Sequence, residues 1–394
     1  MSDLTIQQNI SLQAYNTLAI DVQTRWFAQV TTDAQLQDAL QFLQQQIQQK
    51  IVKQQDTQQP SQEQCPLLVL GGGSNVVLVD DFVGLTIVLQ TQGIQIENET
   101  DEQVFLSVAA GENWHNTVMH CVDNGWYGIE NLALIPGSVG AAPIQNIGAY
   151  GVELTQILSY VEAIDLASGE FIRLDNADCH LSYRDSIFKG ELKDKVIITR
   201  VVLALSKTPV WSLDYPALQE ALAGHNRATL SSHTVANAVI DIRNSKLPDP
   251  ADIPNAGSFF KNPIVSPQCY ERIQQAYPKV VAFPVASIST GTSSKQNSSK
   301  PIVAQHSPQY KLAAGWLLDQ AGWKGRWVNE IAMHDKQALV LTNPNKRSGR
   351  ELLAFVDEVI DDVQQKYGIA LEVEPRIYIA VADGEIVPSV ASPT

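Results

Sequence analysis

The sequence predicts a mixed fold of helices and strands spread over two or three domains. Its 394 residues, 44% of them hydrophobic, supply more than one core normally takes. In PLLVLGGGSNVVLVDDFVGLTIVL, Pro66 to Leu89, apolar runs flank a glycine triplet and no helical period follows, so the unit reads as strand, loop, strand. Near the other end, one apolar face with a start and a stop signal marks a helix between Ser348 and Gly368.

Lys and Arg total 27 against 42 Asp and Glu, a formal net charge of -15. Such a chain repels phosphates on average, so nucleic acid and anionic membranes are not expected partners. An anionic small molecule would need the few cations gathered in one place. Cys65, Cys121, Cys179 and Cys269 are far apart with no C-x-x-C spacing, and no histidine pair has metal-binding spacing. The expectation is a reduced, cytoplasmic protein without disulfides or bound metal. The N-terminal MSDLTIQQNISLQ has neither a basic nor an apolar leader region, and no run reaches the length of a membrane span.

Element by element, Thr32 and Asp33 open a helix with Leu36, Leu40 and Leu43 on one face. Eleven glutamines within 44–64 read as its polar extension and a surface loop. The glycine triplet Gly71, Gly72 and Gly73, followed by Ser74 and Asn75, is neither a Rossmann nor a P-loop signature. It fits a structural glycine loop or a backbone cradle for an anion. A second long glycine loop, GIENLALIPGSVGAAPIQNIGAYG from Gly128, is almost free of charge and suits a flat or elongated ligand lying against backbone.

Residues 158–173 and 196–205 read as strands. Between them Tyr183, Arg184, Asp185 and Lys189 form a polar knot, either a surface ion pair or a binding group. SKLPDP from Ser245 and GSFFKNP from Gly257 follow, the latter presenting Ser258 among cations with Phe259 and Phe260 as anchors. The Ser/Thr-rich 287–300 reads as a mobile surface insertion. KLAAGWLLDQAGWKG reads as a short helix, and MHDKQALVL returns to strand with His334 in the preceding turn. Ser348 and Glu351 form a capping box for the helix that ends at Gly368. The last strand, IALEVEPRIYIA, places Glu372, Glu374 and Arg376 on one face. They are either charges protecting an edge or a carboxylate aimed into a cleft.

Together these segments resemble the UDP-N-acetylenolpyruvoylglucosamine reductase family, in its larger form. NTLAID near Asn16, LGGGSNVVL, IPGSVGAAPIQNIGAYG, YRDSIFK, SKLPDP, NAGSFFKNP, AAGWLLDQ, QALVL and a final Glu-x-Arg occur in the family's order. The ending reads LEVEPR, with Pro375 between Glu374 and Arg376, a departure from the family's usual L-E-P-E-V-R.

The resemblance implies an α+β chain with an FAD-binding domain of the p-cresol methylhydroxylase type. It implies an FAD-binding region over 1–225 with a division near 90, a substrate-binding domain over 226–368, and a C-terminal strand, 369–394, returning to the first subdomain. FAD would be non-covalent, since neither glycine loop holds His or Cys, and NADPH would be the co-substrate. The implied reaction saturates an enolpyruvyl ether on a UDP-sugar to a lactyl ether. Ser258 corresponds to the proton donor, Glu374 to the assisting carboxyl and Arg184 to the cation at the substrate carboxylate. Gly71, Gly72, Gly73, Ser74, Asn75, Pro136, Gly137, Ser138, Gly140, Gly148 and Tyr150 correspond to cofactor contacts. Tyr215, Lys246, Asn262 and Gln337 correspond to substrate contacts. Arg184, Lys189, Arg243, Lys246, Lys261 and Lys311 are expected to form a cationic cleft, and the protein is expected to be a monomer. The competing readings are another flavin oxidase on this fold and a non-catalytic nucleotide or sugar binder.

Overall fold

The computed structural model describes residues 2–57, 65–285 and 309–379. A mixed four-stranded sheet opens the chain, in the order Gln7–Ser11, Gln23–Val30, Phe82–Leu89, Leu67–Leu70. The first pair is antiparallel and the others are parallel. Phe82–Leu89 is buried almost throughout, as a central parallel strand covered on both faces should be. One cover is the helix Asp33–Thr57, which sets Leu36 and Leu43 against the sheet with Leu40 beside them. The glutamine stretch continues this helix to Thr57, while 58–64 lie outside the described residues, as do 287–300.

A five-stranded antiparallel sheet follows, ordered Phe171–Asp175, Leu158–Asp165, Val196–Ser206, Gln103–Ala109, Ile94–Glu99. The single strand expected over 158–173 is in fact a hairpin. Asp165 Oδ1 accepts the N–H groups of Ala167 and Ser168, and Gly169 takes φ +74°, so the chain reverses at LASGE. The helices Trp114–Asp123 and Ser232–Lys246 cover this sheet, burying Trp114, Val118, Val235 and Val239 in its core. The second of these lies beyond residue 225 in sequence, yet it packs on the central sheet.

The remaining segments share a core with the first sheet. Phe259, Phe260, Leu317, Trp323, Val356 and Val359 pack in one cluster with Leu12, Phe27, Leu68 and Val77. A four-stranded antiparallel sheet runs Asn255–Ser258, Val340–Thr342, Ile331–Met333, Trp327–Val328. The helix Gly349–Tyr367 starts on the expected capping box, with Ser348 and Glu351 satisfying each other's backbone N–H, and stops at Gly368 with φ +67°. The final segment departs from expectation. Among its described residues, Arg376–Tyr378 alone joins a ladder, in parallel with Val76–Leu78, and Val373 makes a single bridge to Phe260. Pro375 has no N–H to donate and interrupts the strand. Glu372, Glu374 and Arg376 therefore reach three separate partners, Lys261, Arg184 and Asp194.

One buried acid makes this fold sensitive to pH. Glu130 is 1% exposed. One of its oxygens accepts the Gly128 N–H at 2.8 Å and the other has no partner among the described residues. Burial raises its pKa from 4.5 to about 7, against the pull of the nearby backbone N–H groups. A folded-state pKa raised above the unfolded one adds stability in full below about pH 4.5, and that contribution is lost as pH rises through about 7. The swing is on the order of 3 kcal/mol. Thermal melts should therefore show stability falling across this window in the native chain, and Glu130→Gln should flatten the fall; an unchanged slope in the variant would refute the assignment.

Candidate functional site

The two glycine loops touch. A Cβ on Gly71 would lie 2.0 Å from Ser138 Oγ, and Gly72 packs on Gly137, where a Cβ would meet its Cα at 3.1 Å. Gly73 combines φ +59° with a Tyr15 carbonyl that any Cβ would strike at 2.0 Å. No side chain fits at either Gly71 or Gly73, so the backbone itself forms the surface. Thr17 N–H donates to the Gly73 carbonyl, and Asn75 Nδ2 donates to Gln145 Oε1 at 2.7 Å, which ties the first loop to its neighbours. The N–H groups of Gly72, Gly73 and Ser74 have no protein acceptor among the described residues. Consecutive unpaired backbone donors of this kind are what an anion-binding nest uses. In the second loop Gly140 is buried against Ala110, and Pro136 is exposed at the loop's edge.

The second loop ends in a tight hairpin, Gly148–Ala149 against Val152–Glu153. Its two tip residues, Tyr150 at φ +48° and Gly151 at φ +88°, are both left-handed, as the twist of a two-residue hairpin requires. A tyrosine stands where Asn or Gly is usual, and Asn131 Nδ2 steadies it by donating to its carbonyl at 2.8 Å. The Tyr150 ring meets Tyr215 edge to face at 5.1 Å. Its hydroxyl lies close enough to Arg243, from the helix Ser232–Lys246, for the two charges to influence one another. The Arg243 Nε is buried with no partner among the described residues.

Arg184 lies between this loop and the C-terminal segment. Ser182 and Asp185 exchange backbone hydrogen bonds of 3.0 and 3.2 Å, so Tyr183 and Arg184 form the tip of a two-residue turn. Arg184 has φ +54° there, a position that turns with positive φ reserve for glycine. Its Nη2 donates to the Gly148 carbonyl at 2.9 Å. Its Nε lies 2.9 Å from Glu374 Oε1, an ion contact in which the N–H does not point along the line between them. Burial raises the Glu374 pKa, opposed by Arg184, Lys189 and Lys261.

GSFFKNP is held on both sides. Phe259 N–H donates to the Leu339 carbonyl, and its own carbonyl accepts the Glu374 N–H at 2.9 Å. Lys261 N–H donates to the Glu372 carbonyl, and their side chains pair. Phe259 and Phe260 are fully buried anchors. Ser258 is exposed, preceded by Gly257 at φ +68°, and its hydroxyl has no protein partner among the described residues. Asn255, buried at 2%, bonds the Pro248 carbonyl and the Gly257 N–H, which joins SKLPDP to this turn.

The structure thus brings Arg184 against Glu374, with Ser258 adjacent through the Phe259–Glu374 backbone bond. Asn262 is alongside: its N–H meets the Tyr183 hydroxyl and its Oδ1 accepts from Ala314 N–H. Lys311 stands over the Tyr183 ring at 4.6 Å. Gln337 is half-buried against Gly315, Tyr215 is 42% exposed, and Lys246 is exposed in the last turn of its helix. Of the six cations expected to gather, Lys261 pairs with Glu372 and Arg184 contacts Glu374. Sequence reasoning missed Asn131 and Asn146, the latter at φ +43° with Nδ2 donating to Glu153 and the Ser182 carbonyl. Their signal is the amide content of a loop nearly free of charge.

Residues 55–175 match the family model of the FAD binding domain, and residues 249–378 match that of the UDP-N-acetylenolpyruvoylglucosamine reductase C-terminal domain. A UDP-N-acetylenolpyruvoylglucosamine reductase of Shewanella baltica (strain OS195) is 45% identical over 82% of this chain and 88% of its own length. The protein of the same name in Pseudomonas putida (strain KT2440) is 38% identical over 94% and 98% respectively. The crystal structure of the reductase from Thermus caldophilus shares the fold, with a TM-score of 0.60 and 20% identity over 95% of this chain and 99% of that one. With an FAD-binding domain of the p-cresol methylhydroxylase type ahead of that C-terminal domain in one α+β chain, this protein belongs to the UDP-N-acetylenolpyruvoylglucosamine reductase family.

Proposed function

We propose that this chain reduces the enolpyruvyl ether of UDP-N-acetylglucosamine to the lactyl ether with FAD and NADPH, and that Ser258 supplies the proton. Flavin-dependent reduction of this substrate, in peptidoglycan precursor synthesis, is the family's reaction. The observation that supports the assignment of roles is the Arg184–Glu374 contact, with Glu374 bonded to the Phe259 carbonyl next in sequence to an exposed Ser258 whose hydroxyl has no partner among the described residues.

The interlocked glycine loops suit FAD: their free N–H groups would take its diphosphate, with Gly71–Asn75, Pro136–Gly140, Gly148 and Tyr150 around it. When bound, FAD carries a hydride from NADPH to the vinyl carbon of the substrate. Neither loop holds His or Cys, so the cofactor is held without a covalent bond. As hydride adds, electron density moves toward the substrate carboxylate. Arg184 offers a planar fork to that charge, and Glu374 offers a proton or a hydrogen bond while it is neutral. Ser258 then donates to the carbon next to the carboxylate, and solvent restores its proton. Lys246, Asn262, Gln337 and Tyr215 hold the sugar nucleotide. The protein works in the cytoplasm, a placement favoured by its sugar-nucleotide substrate and its unpaired cysteines.

The cradle is tested by Gly71→Ala, whose methyl collides with Ser138: the purified variant should lose its flavin absorbance, and retention of the native flavin content would count against the loop as the cofactor site. Ser258→Ala separates the two halves of the reaction. Reduction of the flavin by NADPH should persist, whereas its reoxidation by the enolpyruvyl substrate should slow by roughly 10²–10⁴-fold. Equal loss in both halves would make Ser258 structural. Because Glu374 has a raised pKa, its neutral form declines as pH rises through that value. The reoxidation rate should accordingly fall toward alkaline pH, and Glu374→Gln should abolish that limb; a limb that persists in the variant belongs to another group.

A further inference from the structure

Arg184 occupies its left-handed turn position although it has a Cβ, and something outside the turn must hold it there. The Ser182–Asp185 bonds close the turn but leave the Arg184 carbonyl outside it. That carbonyl accepts a hydrogen bond from Lys189 Nζ at 3.0 Å, and no other donor among the described residues reaches it. Lys189 is itself well fixed. Its backbone N–H donates to the Ser186 carbonyl, Ser186 Oγ donates to the Ile144 carbonyl in the second glycine loop at 2.5 Å, and Phe188 is 6% exposed. The half-buried ammonium stands near Lys261 as well as Asp185, Glu372 and Glu374, and burial together with Lys261 lowers its pKa. Placing one ammonium near another in a partly buried site is unfavourable unless a specific contact compensates.

We propose that Lys189 is a positioning residue: its bond to the Arg184 carbonyl holds that residue left-handed, so that one guanidinium reaches both the Gly148 carbonyl and the Glu374 carboxylate. The inference rests on the functional reading above. Released from Lys189, Arg184 relaxes to negative φ, and its fork leaves the place where the substrate carboxylate is bound. A misplacement of this size in a group that meets developing charge costs about 10- to 100-fold in rate.

The test compares Lys189→Met and Lys189→Arg by rapid mixing of the flavin-loaded protein. The methionine variant should be reduced by NADPH within about twofold of native, yet reoxidised by the enolpyruvyl sugar nucleotide about 10- to 100-fold more slowly. The arginine variant, which keeps a charged donor, should recover most of that loss. Unchanged reoxidation, equal loss in both halves, or an arginine variant as slow as methionine would each overturn the proposal. A crystal structure of Lys189→Met tests it without substrate: Arg184 should abandon its positive φ and its contact with Gly148, and their retention would overturn it. If the native protein is reduced but never reoxidised by that substrate, the functional reading fails instead, and the crystal structure still decides the role of Lys189.

Discussion

A carboxyl group taken out of water is unfavourable as an anion unless cations stand beside it, and Glu374 is the carboxyl around which distant parts of this chain meet. Arg184 and Lys189 come from the segment between two strands of the central sheet, and Lys261 comes from the turn after Ser258. The Glu374 N–H is bonded to the Phe259 carbonyl, so its backbone is fixed by the same segment that presents the serine. The C-terminal strand Arg376–Tyr378 then pairs with Val76–Leu78, directly after the first glycine loop. One short stretch of chain thereby connects the first glycine loop, Arg184 and the Ser258 segment.

Three left-handed non-glycine residues lie at this meeting point. Tyr150, Asn146 and Arg184 all adopt left-handed backbone, and all three border the Gly148 turn. Each is held by specific bonds: Asn131 on the Tyr150 carbonyl, Glu153 on the Asn146 amide, Lys189 on the Arg184 carbonyl. Turn tips carry side chains outward with little freedom, so a side chain with a function at such a tip is aimed before ligand arrives. Glycine would relieve the strain and remove the group that acts.

The electrostatic arrangement also explains how an acidic protein handles anionic ligands. The net charge of -15 is a property of the whole surface. Arg243 and Lys311 each lie close enough to Arg184 to feel its charge, while Glu374 stands against Arg184 and Glu372 pairs with Lys261. Tyr183 adds a ring face to Lys311 and to Arg184, a favourable setting for cations partly removed from water.

What the sequence by itself determined is local. The strand–loop–strand around Gly71–Gly73, the capping box at Ser348 and Glu351, the stop at Gly368 and the buried Phe259–Phe260 anchor all depend on neighbouring residues, and period or turn chemistry is enough to reveal them. Reading failed where a local pattern was ambiguous. The run 158–173 was read through its Asp165–Gly169 turn as one strand, and Glu372, Glu374 and Arg376 alternated as a strand would although Pro375 breaks the ladder. The Gly71–Ser138 contact, the Arg184–Glu374 pair, the buried Glu130 and the Lys189 bond were decided only by tertiary structure. Each depends on burial or on a partner from another element, and neither quantity exists until the sheets and helices have packed.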